Sequence, residues 1–116
     1  MTQSLAWIDV CGIDEVPRQG ARVVETRQGP IAVFRTVDDQ FFALHDRCPH
    51  KGGPLSQGIV HGHAVTCPLH NWVIDLASGE ARGPDVGCTR AIAVDTASGR
   101  IRLGFAAAKE RLAANG

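Results

Sequence analysis

The sequence predicts an all-β fold, an antiparallel sandwich or partial barrel, from three observations. Short runs rich in Val, Ile and Phe recur along the chain and are separated by turn residues such as Gln28-Gly29-Pro30. The length of 116 residues suits one domain with its own core. Two segments rich in Pro and Gly each carry a cysteine and a histidine close together. Together these features predict a β base that carries two functional loops.

The apolar runs predict the strands in chain order. They cover residues 5–10, 21–25, 31–36, 40–44, a hairpin over 58–66 that turns near Gly62, 72–76, 90–95 and 100–105. We expect the first four to form an antiparallel meander and the last two to pair across the turn at 96–99. Only the alanine-rich stretch 106–114 has helical propensity. The chain is therefore predicted to be one domain over 1–105 with a tail, partly helical, over 106–116.

Composition excludes several classes of partner. Twelve basic and twelve acidic residues balance, so nothing indicates electrostatic attraction to nucleic acid or to an anionic membrane. No apolar run approaches the length of about 18 residues that spans a bilayer, and the first residues lack the pattern of a secretory signal. The sequence predicts a soluble cytoplasmic protein.

Two mixed pairs of cysteine and histidine carry the chemistry. Cys48 and His50 are one residue apart, whereas Cys67 and His70 are two residues apart. Two thiolates and two imidazoles are a metal-binding set. Glycines near both pairs give the loops backbone freedom, and prolines limit it. We expect a metal-binding lobe over about 46–86, inserted in the β base.

The other two cysteines, Cys11 and Cys88, stand outside this pattern and are expected to be buried, reduced thiols. A disulfide framework would need a secreted context and would leave the paired histidines unexplained. Histidines outside the pairs, namely His45, His61 and His63, are expected to be exposed loop residues. Trp72 is expected to pack beneath the second loop.

The pattern C-x-H followed by C-x-x-H resembles the ligand motif of Rieske 2Fe-2S proteins. The resemblance implies a Rieske 2Fe-2S cluster held by Cys48, His50, Cys67 and His70. Replacing two cysteines by histidines raises the potential from about −400 mV to about −150 to +300 mV. Zinc is the competing metal, but zinc sites usually pair like ligands as C-x-x-C and H-x₃₋₅-H. A zinc-stabilised binding module without a redox role is therefore the alternative from another class.

Around these motifs the chain is similar to the small subunit of NAD(P)H-dependent nitrite reductases. The similarity is carried by the segments 48–58, 67–76, 78–80 and 83–85. It implies electron transfer in assimilatory reduction of nitrite to ammonia, beside a large subunit that carries flavin, a 4Fe-4S cluster and sirohaem. No nicotinamide-binding G-x-G-x-x-G follows a strand, so this chain alone is expected to perform no substrate chemistry. The alternative is a Rieske ferredoxin that serves an aromatic-ring dioxygenase.

A departure from the high-potential respiratory Rieske proteins predicts the redox range. That branch has an additional cysteine in each loop, where this chain has Gly53 and Leu69. The chain also contains no tyrosine, and Asn71 and Trp72 follow His70 directly. Hydroxyl hydrogen bonds to the cluster sulfurs, which raise the potential, are therefore expected to be missing. We expect a potential near the low end of the Rieske range.

Overall fold

Nine strands and two short 3₁₀ turns make up the regular structure of residues 5–48, 52–68, 71–83 and 87–106, which the computed structural model describes. The strands are β1 (Leu5–Gly12), β2 (Gly20–Thr26), β3 (Gly29–Arg35), β4 (Phe41–His45), β5 (Ile59–His61), β6 (Ala64–Thr66), β7 (Val73–Asp75), β8 (Ala91–Asp95) and β9 (Arg100–Ala106). The 3₁₀ turns cover Ile13–Glu15 and Leu55–Gln57. The all-β prediction is confirmed, and each predicted run contains a strand.

The strands of the described ranges form two antiparallel sheets. The larger one is curled and has the order β1-β9-β8-β4-β3-β2, and the smaller one has the order β5-β6-β7. β2, β3 and β4 form the predicted meander, and β8 pairs with β9 as predicted.

The predicted place of β1 in the meander is wrong, because β1 pairs with β9 at the other edge of the larger sheet. Their ladder runs from Leu5 opposite Ala106 to Gly12 opposite Arg100, with an irregularity between Asp9 and Cys11. β9 is a seven-residue strand whose alternate residues Ile101, Leu103 and Phe105 are buried. By pairing with β9, β1 protects the long edge of that strand, which would otherwise expose unpaired backbone groups.

β3 is buried on both faces and separates two cores. Ile31 and Val33 pack on one face, while Ala32 and Phe34 pack on the other. A continuous apolar run, rather than an alternating one, is what such a strand requires. The base core consists of Cys11, Val16, Ile31, Val33, Ala43, Ile92, Ile101, Leu103 and Phe105. The lobe core consists of Ala32, Phe34, Leu44, Cys48, Leu55, Val60, Val65, Cys67, Ile74 and Leu76.

The C-terminal tail was predicted to begin at Ala106, but this residue ends β9. The rest of the tail, residues 107–116, lies outside the described residues. In the ranges that are described, no helix is long and apolar enough to cross a membrane.

Candidate metal centre

Cys48 and Cys67 lie on loops that leave the ends of β4 and β6. Cys48 is 1% exposed and Cys67 is fully buried, and both side chains belong to the lobe core. Neither cysteine forms a disulfide. The fold therefore brings the two predicted sulfur ligands into one buried cluster of side chains. The two predicted imidazole ligands, His50 and His70, lie outside the described residues.

Hydrogen bonds fold the first loop tightly around Cys48. The Cys48 amide donates to the carbonyl of Gly53 at 2.7 Å, and the Gly52 amide donates to the carbonyl of Cys48 at 2.8 Å. Gly52 has a φ of +74°, which favours glycine. The Asp46 carboxylate closes the loop, because it accepts the amide of Ser56 at 2.7 Å and its hydroxyl at 2.8 Å.

A backbone hydrogen bond between the first and last residues of the second loop closes this loop. The Cys67 amide donates to the carbonyl of Trp72 at 2.7 Å, and Asn71 adopts a left-handed backbone with a φ of +58°. Asn is one of the few residues that tolerate this region. Trp72 packs against the lobe core, which confirms its predicted place beneath the loop.

The two loops are held against each other at Gly58, between the 3₁₀ turn and β5. A Cβ at this position would lie 2.2 Å from the carbonyl oxygen of Thr66, the residue before Cys67. No side chain could be accommodated without moving one of the two segments. Gly58 therefore permits the close approach that sets the loops side by side.

A third segment, residues 79–83 and 87–90, leads from the second loop back to the larger sheet. Gly79 has a φ of +79°, and a Cβ there would lie 2.2 Å from the Thr89 carbonyl oxygen. The Thr89 amide donates to the Gly79 carbonyl at 2.7 Å. Cys88 lies on this segment, bridged to Glu80, and is exposed. The prediction that Cys88 is buried is wrong, whereas Cys11 is buried in the base core as predicted.

His61 and His63 are exposed, as predicted. His63 Nε2 lies 3.2 Å from an oxygen of Asp38, and the His63 ring packs on Phe42 with ring centroids 5.3 Å apart. Hydrogen bonds from Thr36 and then from His63 lower the pKa of the Asp38 carboxyl. This contact joins the β5–β6 turn to the β3–β4 turn, at the end of the hairpin opposite Cys67.

His45 departs from its prediction as an exposed loop residue. It is the last residue of β4 and is half-buried, and its Nε2 is buried without a hydrogen-bond partner in the described part of the chain. Burial, and then the charge of Arg90, lower the pKa of the His45 imidazole. The sequence contained a signal for this burial, because the alternation of side chains along a strand places His45 on the same face as Phe41 and Ala43, which pack in the base core.

The donor chemistry of this centre fits an iron–sulfur cluster. Two reduced thiols share an apolar interior, and neither forms a disulfide. Thiolates are soft ligands suited to iron–sulfur clusters. The arrangement offers two thiols, one from each loop, as candidate ligands.

The family comparison identifies the class of protein. Residues 6–94 match the model of the Rieske [2Fe-2S] domain. The chain therefore belongs to the Rieske family and is an electron-transfer protein with a Rieske-type 2Fe-2S cluster.

Individual relatives differ in their partners. The chain is 41% identical over 73 residues to the anthranilate 1,2-dioxygenase ferredoxin subunit of Burkholderia cepacia, covering 63% of this chain and 67% of that one. A chain in the complex of reduced oxygenase and oxidised ferredoxin of carbazole 1,9a-dioxygenase superposes with a TM-score of 0.74 at 27% identity, covering 84% of this chain and 91% of that one. A protein of Mycobacterium tuberculosis, provisionally described as the small subunit of NADH-dependent nitrite reductase, shares the fold with a TM-score of 0.78 at 23% identity, covering 87% and 96%.

Proposed function

We propose that this chain is the Rieske small subunit of a cytoplasmic NAD(P)H-dependent nitrite reductase, which passes single electrons during reduction of nitrite to ammonia. The observation that carries the proposal is the similarity of both ligand loops, 48–58 and 67–76, to that family, continued in 78–80 and 83–85. Its partner is the large subunit that carries flavin and sirohaem.

The proposed cluster ligands are Cys48, His50, Cys67 and His70. Burial of Cys48 and Cys67 in one core supports this assignment. When bound, the cluster supplies a site that accepts and releases one electron. Two thiolates balance the charge of an oxidised 2Fe-2S core, so the neutral imidazoles leave the site uncharged. An uncharged site suits the apolar lobe core, where an unpaired charge would be costly.

Three backbone hydrogen bonds of the described loop residues support a potential near the low end of the Rieske range, about −150 mV. Hydrogen bonds to the cluster sulfurs raise the potential. The amides of Cys48, Gly52 and Cys67 already donate to the carbonyls of Gly53, Cys48 and Trp72. These three N–H groups are therefore directed at backbone oxygens and are not available to the sulfurs. Such a centre accepts electrons from a flavin donor rather than from a quinol.

Removing a proposed imidazole ligand tests the assignment. We expect His50→Ala and His70→Ala each to abolish the Rieske signal in electron paramagnetic resonance of the dithionite-reduced protein, because one iron loses a ligand. The matched control is His61→Ala, whose exposed side chain contacts Thr66 Oγ1 at 2.7 Å. It should keep the wild-type signal. Iron and zinc are quantified in the same samples.

Two results would contradict the ligand proposal. One is a full Rieske signal in His50→Ala or His70→Ala. The other is zinc, without the signal, in the wild-type protein purified anaerobically, which would favour a metal-stabilised docking module.

The second candidate is a shuttle ferredoxin of an aromatic-ring dioxygenase, favoured by the 41% identity to the anthranilate 1,2-dioxygenase ferredoxin subunit. The two candidates differ in how they associate. A subunit holds its partner through a stable interface, whereas a shuttle binds over a small patch and leaves.

Reconstitution separates the two. The cluster-loaded chain is mixed with a purified flavin and sirohaem nitrite reductase large subunit, and separately with a dioxygenase reductase and oxygenase. The proposal expects co-elution on size exclusion with the large subunit and an increase in nitrite-dependent NAD(P)H oxidation. If both effects are absent and the chain restores turnover of the dioxygenase, the nitrite reductase proposal is wrong and the ferredoxin role replaces it.

A further inference from the structure

Three arginines of the described residues have no carboxylate partner. The other arginines there each lie within 3.6 Å of a carboxylate: Arg18, Arg22, Arg35, Arg82, Arg100 and Arg102. Arg27, Arg47 and Arg90 are exposed and make no such pair in the described part of the chain. Their charges are directed to solvent rather than used within the fold.

Two of the three unpaired arginines, Arg47 and Arg90, lie at the start of the first ligand loop. Arg47 precedes Cys48, and its guanidinium lies over the loop, because a Cβ on Gly52 would be 3.4 Å from Arg47 Nε. Arg90 is joined to the end of β4, since its carbonyl accepts the amide of His45 at 2.9 Å.

Arg27 reaches the same end of the sheet through the β2–β3 turn. That turn is followed by Pro30, whose carbonyl accepts the amide of Asp46 at 3.0 Å. Arg27 itself borders a cleft with Ala6, Ile8 and Phe105 at this end of the sheet. Two segments that are distant in sequence, those of Arg47 and Arg90, therefore place one unpaired cation each beside the first ligand loop.

Acidic residues near these arginines offset part of their charge. The Asp46 carboxylate is turned into the loop, where the neutral Ser56 donates to both of its oxygens, and it compensates one positive charge. Glu25 is exposed on β2, opposite Pro30, and compensates one positive charge. At the other end of the molecule, Asp39 is paired with Arg18 and Arg35, and Asp38 lies against His63. Among the described residues, the arginines without a carboxylate partner are therefore confined to the end of the sheet that carries the first ligand loop.

We infer that Arg47 and Arg90 form a basic docking surface for a redox protein that presents an acidic patch. The inference rests on the proposed electron-transfer role of the adjacent loops. A partner must approach these loops to exchange an electron, and complementary charge raises association rates from about 10⁵–10⁶ to as much as about 10⁸–10⁹ M⁻¹s⁻¹ at low salt. Unpaired surface arginines supply this steering without breaking an internal ion pair.

Charged inorganic oxidants test the surface without a protein partner. The cluster-loaded protein is reduced with dithionite, desalted and mixed in stopped flow with ferricyanide, an anion, or hexaammineruthenium(III), a cation. Each oxidant molecule takes one electron from one protein molecule. We expect the ferricyanide rate constant to fall as salt is raised and the ruthenium rate constant to rise, because salt screens the local positive potential.

Charge-removing variants locate the effect. Arg47→Gln and Arg90→Gln should each lower the low-salt ferricyanide rate constant about two- to fivefold, as expected for removing one nearby surface charge. Arg22→Gln removes the same charge from β2 beside Glu15, away from the loops, and should leave the rate constant unchanged. A second readout, retention on a sulfonate cation exchanger at neutral pH, needs no electron transfer. Wild type and Arg22→Gln should be retained on this column. Arg47→Gln and Arg90→Gln should be retained less.

Two outcomes would overturn the docking surface. One is a ferricyanide rate constant that does not respond to salt, and the other is an equal effect of Arg22→Gln and Arg90→Gln. Arg90 lies outside the ligand loops, so Arg90→Gln keeps the test valid if Arg47→Gln loses its cluster. Absence of the Rieske signal from the wild-type protein would instead overturn the proposed function, before any rate is measured.

Discussion

The side chain of His45 shows how one residue can depart from an expectation based on residue type. Histidine is on average an intermediate residue between core and surface. The alternation of side chains along β4 determines the burial of His45, since it shares a face of the strand with Ala43, which is 2% exposed. Burial, and then the charge of Arg90, lower the pKa of this imidazole and so favour its neutral form.

A neutral, partly buried imidazole makes folding stability depend on pH. Because the folded pKa of His45 is lowered, the unfolded chain binds the proton more tightly, and stability falls as pH drops from about 6.5 toward the folded pKa. We expect His45→Gln to reduce this slope in urea unfolding of the cluster-loaded protein. His61→Gln, at an exposed position, should keep the wild-type slope. Identical slopes in wild type and His45→Gln would contradict the assignment.

The two cysteines outside the ligand motif, Cys11 and Cys88, also show that residue type alone does not predict burial. Cys11 lies on β1, where β9 covers it, and its burial could be predicted from its residue type and from the strand pattern. Cys88 has the same residue type but lies on a segment that makes one bridge to Glu80. Burial of a loop residue depends on what packs over the loop, which local sequence does not specify.

Among the elements, local pairings could be predicted and distant ones could not. The hairpins β2–β3, β5–β6 and β8–β9 follow from apolar runs separated by turn residues. The β1–β9 ladder joins the two ends of the domain, and its register is set by which faces become buried in the finished sheet. The predicted hairpin over 58–66 already brings Gly58 near Thr66, but the closeness of this approach, which leaves no room for a Cβ at Gly58, is visible only in three dimensions.

The contact at Gly58 predicts a sharp difference between two glycines. Gly58→Ala should cost about 1–3 kcal/mol of unfolding free energy, because its Cβ would lie 2.2 Å from the Thr66 carbonyl and one loop must move. It should also increase the rate at which a chelator removes iron. Gly83→Ala is the control, since a Cβ there meets no atom of the described residues within 4 Å. Urea unfolding and iron release measure the two effects, and equal behaviour of the two variants would refute this role.

At the scale of the whole molecule, β3 and β4 couple two cores with different tasks. Phe34 and Leu44 face the lobe core, which contains Cys48 and Cys67, while Val33 faces the base core. Because both cores share the same strands, damage to either is transmitted to the stability of the whole sheet. Of the two cores, however, the lobe core is the one that contains Cys48 and Cys67, the proposed sulfur ligands.

The same substitution in each core should therefore separate folding from cluster retention. Leu55 and Leu103 are both fully buried, the first in the lobe core and the second in the base core. We expect Leu55→Ala and Leu103→Ala each to lower the free energy of unfolding by about 2–5 kcal/mol. Under conditions where both variants are folded, Leu55→Ala should release iron to a chelator several times faster than wild type, because the cavity lies beside Cys48 and Cys67.

Leu103→Ala should release iron at a rate close to that of wild type under the same conditions, since the β3–β4 layer separates its cavity from the sulfur ligands. Comparable acceleration in both variants would mean that the cluster loops respond to global stability alone. In that case the lobe core would have no specific role in holding the cluster. A difference confined to Leu55→Ala would instead assign retention of the cluster to the packing around the two cysteines.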